Sequence, residues 1–158
     1  MKVVIGSDKV GFPLKESIKA YLISQGHEVT DVGTTDIEKP RPHTVTAPAA
    51  AAEIQSGRAE RGILICGTGM GMNIAANKNK GIYAAACESL YAASYCRKIN
   101  DANILCMGAF IVGESMAKEM VDAFMNTDFV QGFEPWRVEF LTGQNEILRE
   151  HEAAVFAE

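Results

Sequence analysis

The chain has little of what would tie it to a metal, a membrane or a nucleic acid. Its three histidines, His27, His43 and His151, are scattered, and its four cysteines, at 66, 87, 96 and 106, form no C-x-x-C pair. A metal site is therefore not expected, and reduced thiols fit better than disulfides. No run approaches the roughly 20 apolar residues of a membrane span, and the apolar part of MKVVIGSDK is too short for a secretory signal. A cytoplasmic location follows as an expectation. Basic clusters are missing too: the net charge is -5, and Lys78 and Lys80 read as the last turn of a helix, which argues against a nucleic-acid partner. What is present suits a single domain spanning 1–158. Hydrophobic residues make up 47% and charged ones 22%, too apolar for disorder and enough for one core. No internal repeat is found.

Apolar runs alternate with helical patterns from end to end. Val3 to Ile5 reads as a strand closed by Gly6-Ser7-Asp8, and Leu14, Ile18, Tyr21 and Leu22 mark a helix that Gly26 stops. His27 to Val32 alternates as a second strand, and Gly33 to Pro42 is a polar loop long enough to border a site. Thr44 to Ser56, with alanines at 49 to 52, reads as a small-faced helix. Further strands are expected at Ile63 to Ile65, Ile82 to Ala86 and Asn103 to Met107, and further helices at Met72 to Asn79, Ser89 to Lys98 and Glu114 to Asn126. A helical extension from about Trp136 to Ala157 packs either on a partner or on its own chain. This alternation predicts an α/β fold with a five-stranded parallel sheet covered on both faces.

Ligands of such sheets sit beyond the carboxyl ends of the strands. That rule gathers Asp8 and Lys9, the segment up to His43, the loop Cys66-Gly67-Thr68-Gly69-Met70-Gly71, and Gly108 at one rim. Three glycines let backbone N–H groups turn toward a ligand, and the helix start adds partial positive charge, so the loop suits a phosphate or an enolate-like oxyanion. A thiol just before a helix tends to acidify, which fits Cys66 for taking up and returning a proton. The same spacing also describes a tight turn beside a small core cysteine. Lys9 either meets a phosphate or neutralises Asp8.

The chain resembles, over nearly its whole length, the type B ribose-5-phosphate isomerases and the related galactose-6-phosphate isomerase subunits. The resemblance rests on Gly6-Ser7-Asp8 with Gly11-Phe12-x-x-Lys15, Asp31-Val32-Gly33-Thr34, Cys66-Gly67-Thr68-Gly69-x-Gly71 with Ile74-Ala75-Ala76-Asn77-Lys78, Asn100-Asp101-Ala102-Asn103, and Gly108 to Gly113. It implies a Rossmann-like three-layer α/β/α sandwich, no metal or organic cofactor, and an active site completed across a homodimer or within a dimer of dimers. The implied reaction interconverts an aldose phosphate and a ketose phosphate through a cis-enediolate. Cys66 would be the base, its thiolate supported by the Thr68 hydroxyl. The N–H groups of Gly67, Gly69, Met70 and Gly71 would hold the oxyanion. Asp8 would bind sugar hydroxyls and Asn100 the substrate's oxygen end, although Asn100 also reads as a helix C-cap. Some members carry a glutamate at the position of Met72, which cannot act as a base.

The departures bear on the substrate. Lys9 and Ile99 stand where pentose members carry histidines, the second of which opens the furanose ring; the galactose-type subunits share the change at Lys9. Phe110 replaces an arginine of the phosphate clamp, and a Gly-Arg-His segment becomes Gly132-Phe133-Glu134, with Arg137 retained. Phosphate would rely on Arg137, Lys9, and Arg41 or Arg97. His43 is the one histidine within reach of the rim, as a proton carrier or hydrogen-bond donor. Ribose 5-phosphate is the family's type substrate. Ile99 leaves open an impaired enzyme or a substrate with no ring to open, such as a tetrose 4-phosphate. An isomerase of galactose 6-phosphate working with an unlike subunit would also fit these departures, as would a non-catalytic sugar-phosphate binding module.

Overall fold

The computed structural model describes residues 1–157. Strands and helices alternate as β1 (Lys2–Ser7), α1 (Phe12–Ser24), β2 (Glu28–Asp31), α2 (His43–Gln55), β3 (Arg61–Cys66), α3 (Met70–Ala76), β4 (Ala84–Ala86), α4 (Leu90–Asn100), β5 (Ile104–Gly108), α5 (Glu114–Met125) and α6 (Pro135–Val155). All strand pairings are parallel, in the order β2-β1-β3-β5-β4. The α/β sandwich expected from the alternation is thus the fold. Val3 to Ile5 and Ile63 to Ile65 are almost wholly buried because helices cover both faces, which is why these strands read as unbroken apolar runs.

Strand periodicity sorts the core into two layers. Val3, Ile5, Ile63, Ile65, Leu105 and Met107 face α1, α4 and α5, whereas Val4, Leu64, Cys66, Ile104 and Cys106 face α2 and α3. Each fully buried aliphatic side chain here contributes about 1.5–3 kcal/mol. The alanine-rich α2 lies close on its layer through Ala47, Ala50 and Ala51, all fully buried. After β1 the chain crosses to the α1 layer, and after β3 to the α3 layer. A crevice therefore opens between the carboxyl ends of β1 and β3, the place where doubly wound sheets take ligands.

Two elements differ from the sequence expectation, and a third takes one of the two packings it left open. Helix α3 starts two residues early, at Met70, because Gly69 adopts φ +78° and turns the chain in, and it ends at Ala76 rather than Asn79. Strand β4 is confined to Ala84–Ala86, since Ile82 N–H bonds back to the Asn79 carbonyl and Tyr83 N–H to Asn103 Oδ1. The far half of α6 docks on its own chain: Glu152 accepts Gly81 N–H at 2.7 Å and Tyr83 O–H at 2.9 Å, and Arg149 reaches Asp101 at 3.0 Å. Trp136, Phe140 and Ile147 of α6 stay exposed.

A lysine is among the most deeply buried side chains. Lys15 on α1 is 0% exposed, and its ammonium donates to Asp31 Oδ2 at 2.5 Å and to the Thr34 carbonyl at 2.6 Å. Lys19 shares Asp31 at 2.8 Å. Burial alone would raise the Asp31 carboxyl, but hydrogen bonds from Lys15, Lys19 and the Gly33 N–H outweigh it and hold the group below its ordinary value. A carboxyl lowered in the fold contributes stability above its unfolded value, near 3.8, and loses it as pH falls through the folded one. Chemical denaturation should accordingly show stability falling with acidification below about pH 4. Lys15→Met should cost about 3 kcal/mol at pH 7 and make that acid dependence shallower, because it strands a partly buried carboxylate.

Candidate active site

The crevice is built from strand ends. Asp8, just past β1, accepts Gly11 N–H on Oδ1 at 2.9 Å, which turns the chain into α1, and donates its own N–H to the Ile65 carbonyl at 3.3 Å. Cys66 closes β3 with its side chain toward the α2 and α3 layer, where it is 5% exposed. The donor at its sulfur is the Gly69 N–H, at 3.1 Å. The Thr68 hydroxyl, expected beside the sulfur, instead accepts the Met70 N–H at 3.4 Å. Among the described residues the N–H groups of Gly71 and Met72, in the first turn of α3, have no acceptor. The N–H groups of Gly67 and Thr68 likewise have none, so these four are the donors offered to an oxyanion, whereas the expected Gly69 and Met70 N–H groups are spent on Cys66 and Thr68. Met72 itself is fully buried core.

Aromatic rings flank the loop. A β-carbon at Gly71 would lie 3.3 Å from the His43 ring, and one at Gly67 would lie 2.8 Å from the Phe110 ring. His43 opens α2 and forms a wall shared by two cavities. One, of about 250 Å³, is lined by Asp8, Lys9, Pro40, Arg41, Pro42 and His43. The other, of about 380 Å³, runs over Gly71, Ile74 and Lys78. The structure thus joins Asp8, Lys9, His43, Cys66 and the glycine loop at one corner. Lys9 makes no ion pair with Asp8 among the described residues and lines the smaller cavity. Arg41, which residue type alone marks as no more than one of several cations in the chain, lines the same cavity. The signal that singles it out is its setting, Pro40-Arg41-Pro42.

The remaining cysteines serve the core. Burial, then the neighbouring Cys66 and Cys96, push the Cys106 thiol up. The Cys87 thiol is pushed up by its hydrogen bond with Cys96 and by burial. Arg97 is likewise spent on structure: it donates to Asp101 at 2.9 Å, to the Ala102 carbonyl at 2.7 Å and to the Thr127 carbonyl at 3.3 Å.

Two expected residues are not brought to this corner. Asn100 ends α4 at the opposite end of the sheet, where Gly62 pairs with Ile104; Cys66 pairs with Gly108, four residues and about 13 Å further along. The C-cap of α4 is Asp101, at φ +53°, so Asn100 is exposed and makes no capping bond. Its neighbours are Ile99, Tyr95 and Cys87, around a cavity of about 350 Å³. Arg137 begins α6 with its guanidinium 4.0 Å from the Phe133 ring, against which Lys98 also lies at 4.5 Å. Val130 N–H bonds the Lys98 carbonyl and fixes that segment beside α4. Asn100 and Cys66 therefore lie at opposite ends of the sheet.

Known proteins share both this sequence and this build. The model of the family described as Ribose/Galactose Isomerase matches residues 3–141. A 4-deoxy-4-sulfo-D-erythrose isomerase of Clostridium sp. (strain MSTE9) is 55% identical over 156 residues, covering 99% of this chain and 98% of that protein. Ribose-5-phosphate isomerase B of Escherichia coli (strain K12) is 43% identical over 142 residues, covering 89% and 94%. The solved structure of Clostridium thermocellum ribose-5-phosphate isomerase B superposes with a TM-score of 0.83 at 39% identity, covering 96% of this chain and 99% of that one.

The loop's position is vulnerable at a residue that bears no chemistry. A β-carbon at Gly108 would lie 2.7 Å from the Thr68 carbonyl carbon and 2.9 Å from the Gly67 oxygen, both backbone. Gly108→Ala should therefore displace the glycine loop, costing about 1–3 kcal/mol of stability in thermal unfolding and lowering turnover by more than about tenfold.

Proposed function

This chain belongs to the ribose/galactose isomerase family, and from that premise we propose that it interconverts the aldose and ketose forms of a four-carbon sugar bearing a sulfonate at C4. Ile99 carries the proposal. Where pentose members use a histidine to open the furanose ring, isoleucine has no proton to give. A tetrose whose C4 oxygen is replaced or esterified cannot close a five-membered ring and needs no such group. The near full-length similarity to a 4-deoxy-4-sulfo-D-erythrose isomerase supports the same substrate class. So does the clamp: Phe110 and Phe133 replace cations, and a sulfonate carries one negative charge where a phosphate monoester carries about −1.5 to −2.

In the reaction proposed, the Cys66 thiolate takes the proton from the carbon next to the carbonyl, and the carbonyl oxygen becomes an enediolate oxygen. The N–H groups of the glycine loop hold that charge. The thiol returns the proton to the adjacent carbon, and Asp8 helps move the hydroxyl proton between the two oxygens. His43 walls the sugar on the α2 side. The chain's second half-site, with Asn100 and Arg137, comes from another copy, so the working unit is a homodimer or a dimer of dimers. A sugar with a permanent charge does not leak across membranes, which favours the cytoplasm as its place of use.

Two measurements test this. Proton exchange at C2, followed by NMR in deuterated water, should be fastest with 4-deoxy-4-sulfo-erythrose, slower with erythrose 4-phosphate, and at least about tenfold lower in kcat/KM with ribose 5-phosphate; equal or faster turnover of ribose 5-phosphate would overturn the tetrose assignment. Galactose 6-phosphate serves as the six-carbon control. Cys66→Ala and Asn100→Ala should each abolish exchange in a folded protein. Refolded together they should recover about a quarter of the activity, because half the dimers then hold one intact site. No recovery would refute the shared site, and near-normal turnover by Cys66→Ala would refute the base.

A further inference from the structure

The loop between β2 and α2 is fastened at one residue. Thr34 is the anchor: its carbonyl takes the buried Lys15 ammonium at 2.6 Å, and its N–H bonds the Ser7 carbonyl at 2.8 Å. Its hydroxyl oxygen accepts the Arg41 N–H at 3.0 Å. The Arg41 carbonyl in turn lies 3.4 Å from the Thr46 hydroxyl. Prolines on either side fix φ at positions 40 and 42 and hold Arg41 extended. The backbone of Arg41 is thus tied at both its N–H and its C=O, through a lysine whose burial costs several kcal/mol of desolvation.

Its side chain is not tied at all. Among the described residues the Arg41 guanidinium has no acceptor and no aromatic partner. Every other arginine has one: Arg58 pairs with Glu53, Arg61 with the Phe124 and Met125 carbonyls, Arg97 with Asp101, Arg137 with the Phe133 ring, and Arg149 with Asp101. Arg41 instead lines the 250 Å³ cavity beside Asp8 and His43, with the unpaired Lys9 on the same wall. Asp8 Oδ1 is turned to the Gly11 N–H, which leaves the cationic side of the cavity to the two bases.

We propose that Arg41, assisted by Lys9, receives the tetrahedral oxyanion at the far end of the substrate. A guanidinium presents two parallel donors to two oxygens of a sulfonate or phosphate and keeps its charge at every working pH. Rigid placement of its backbone lowers the ordering cost of each encounter. The clamp is then on the same chain as Cys66, in place of the arginines that Phe110 and Phe133 have displaced. This assignment deepens the isomerase reading given above and rests on it for the identity of the sugar.

The test compares wild type, Arg41→Gln and Arg41→Lys on 4-deoxy-4-sulfo-erythrose and on uncharged 4-deoxyerythrose, which like the sulfonate cannot close a furanose ring, with methanesulfonate and inorganic phosphate as competing ions. Arg41→Gln should raise KM for the charged sugar about 10- to 100-fold with little change in kcat, lower kcat/KM for 4-deoxyerythrose far less than for the charged sugar, and abolish inhibition by both ions; Arg41→Lys should recover part of the affinity. Stronger inhibition of wild type by methanesulfonate than by phosphate assigns a sulfonate head, and the reverse assigns a phosphate. An unchanged KM for the charged sugar, or equal losses on charged and neutral sugars, would overturn the role of Arg41. If wild type turns over only ribose 5-phosphate, the substrate reading fails. Arg41 is then judged by the same KM ratio between ribose 5-phosphate and ribose.

Discussion

Strand β3 ends between two neighbours that approach its backbone more closely than any side chain would allow. On one side a β-carbon at Gly11 would fall 2.5 Å from the Ile65 carbonyl oxygen; on the other, one at Gly108 would fall 2.7 Å from the Thr68 carbonyl carbon. Between these contacts the chain has no freedom to drift, and Cys66, Gly67 and Thr68 are held at one height relative to Asp8 and the end of β5. The remaining geometry depends on this. Because Cys66 is even-numbered in a strand whose odd residues face α1 and α5, its sulfur points under the start of α2 and α3. There the Gly69 N–H meets it and the His43 ring closes the side. A thiol held against a backbone donor, with further N–H groups one turn on, is the geometry that the proposed proton transfer would use while a neighbouring oxygen becomes negative.

The same sheet that fixes this corner also keeps Asn100 away from it. α4 starts at the carboxyl end of β4 and runs back along the sheet for 11 residues, about 16 Å, so anything at its last turn lies beyond the reach of Cys66. Asn100 has no structural task there, since Asp101 caps the helix. Among the described residues Asn100 is exposed and has no partner, and it borders the same cavity as the stacked Tyr91 and Tyr95. In the reaction proposed above, a second copy related by a two-fold axis would bring this surface to the Cys66 corner, and the symmetry would do so twice.

Much of this was legible in the residues. The strands, the two helical layers and the corner holding Asp8, Cys66 and His43 follow from periodicity and from the rule about strand ends. What was not legible has physical causes. A lysine at position 15 in a helical pattern reads as solvent-facing, and only the fold reveals that Asp31 and the Thr34 carbonyl surround it. Which donor meets the Cys66 sulfur depends on the sign of φ at Gly69, so the choice between the Thr68 hydroxyl and the Gly69 N–H belongs to backbone geometry rather than to residue type. Sequence proximity to a shared motif said nothing about the distance from Asn100 to Cys66, because spacing along a chain does not record which end of a sheet a helix returns to.

The cations show how substrate charge and fold are coupled. Of the arginines nearest the core, Arg61 and Arg97 are consumed by backbone carbonyls at the end of α5 and the turn after α4, where they substitute for missing caps. Neither can leave without exposing unsatisfied carbonyls, so neither is available to a ligand. Phe110 occupies the outer side of the glycine loop with 77% of its surface exposed, its ring against Gly67. A phenyl there cannot hold an anion, but it can exclude water from the loop once a substrate or a second copy covers it, and an N–H donor gains strength when water leaves. In the reaction proposed above, the chain would thus exchange long-range charge for a drier reaction centre. That exchange suits the substrate proposed above, whose anion carries a single charge at the end of a short carbon chain.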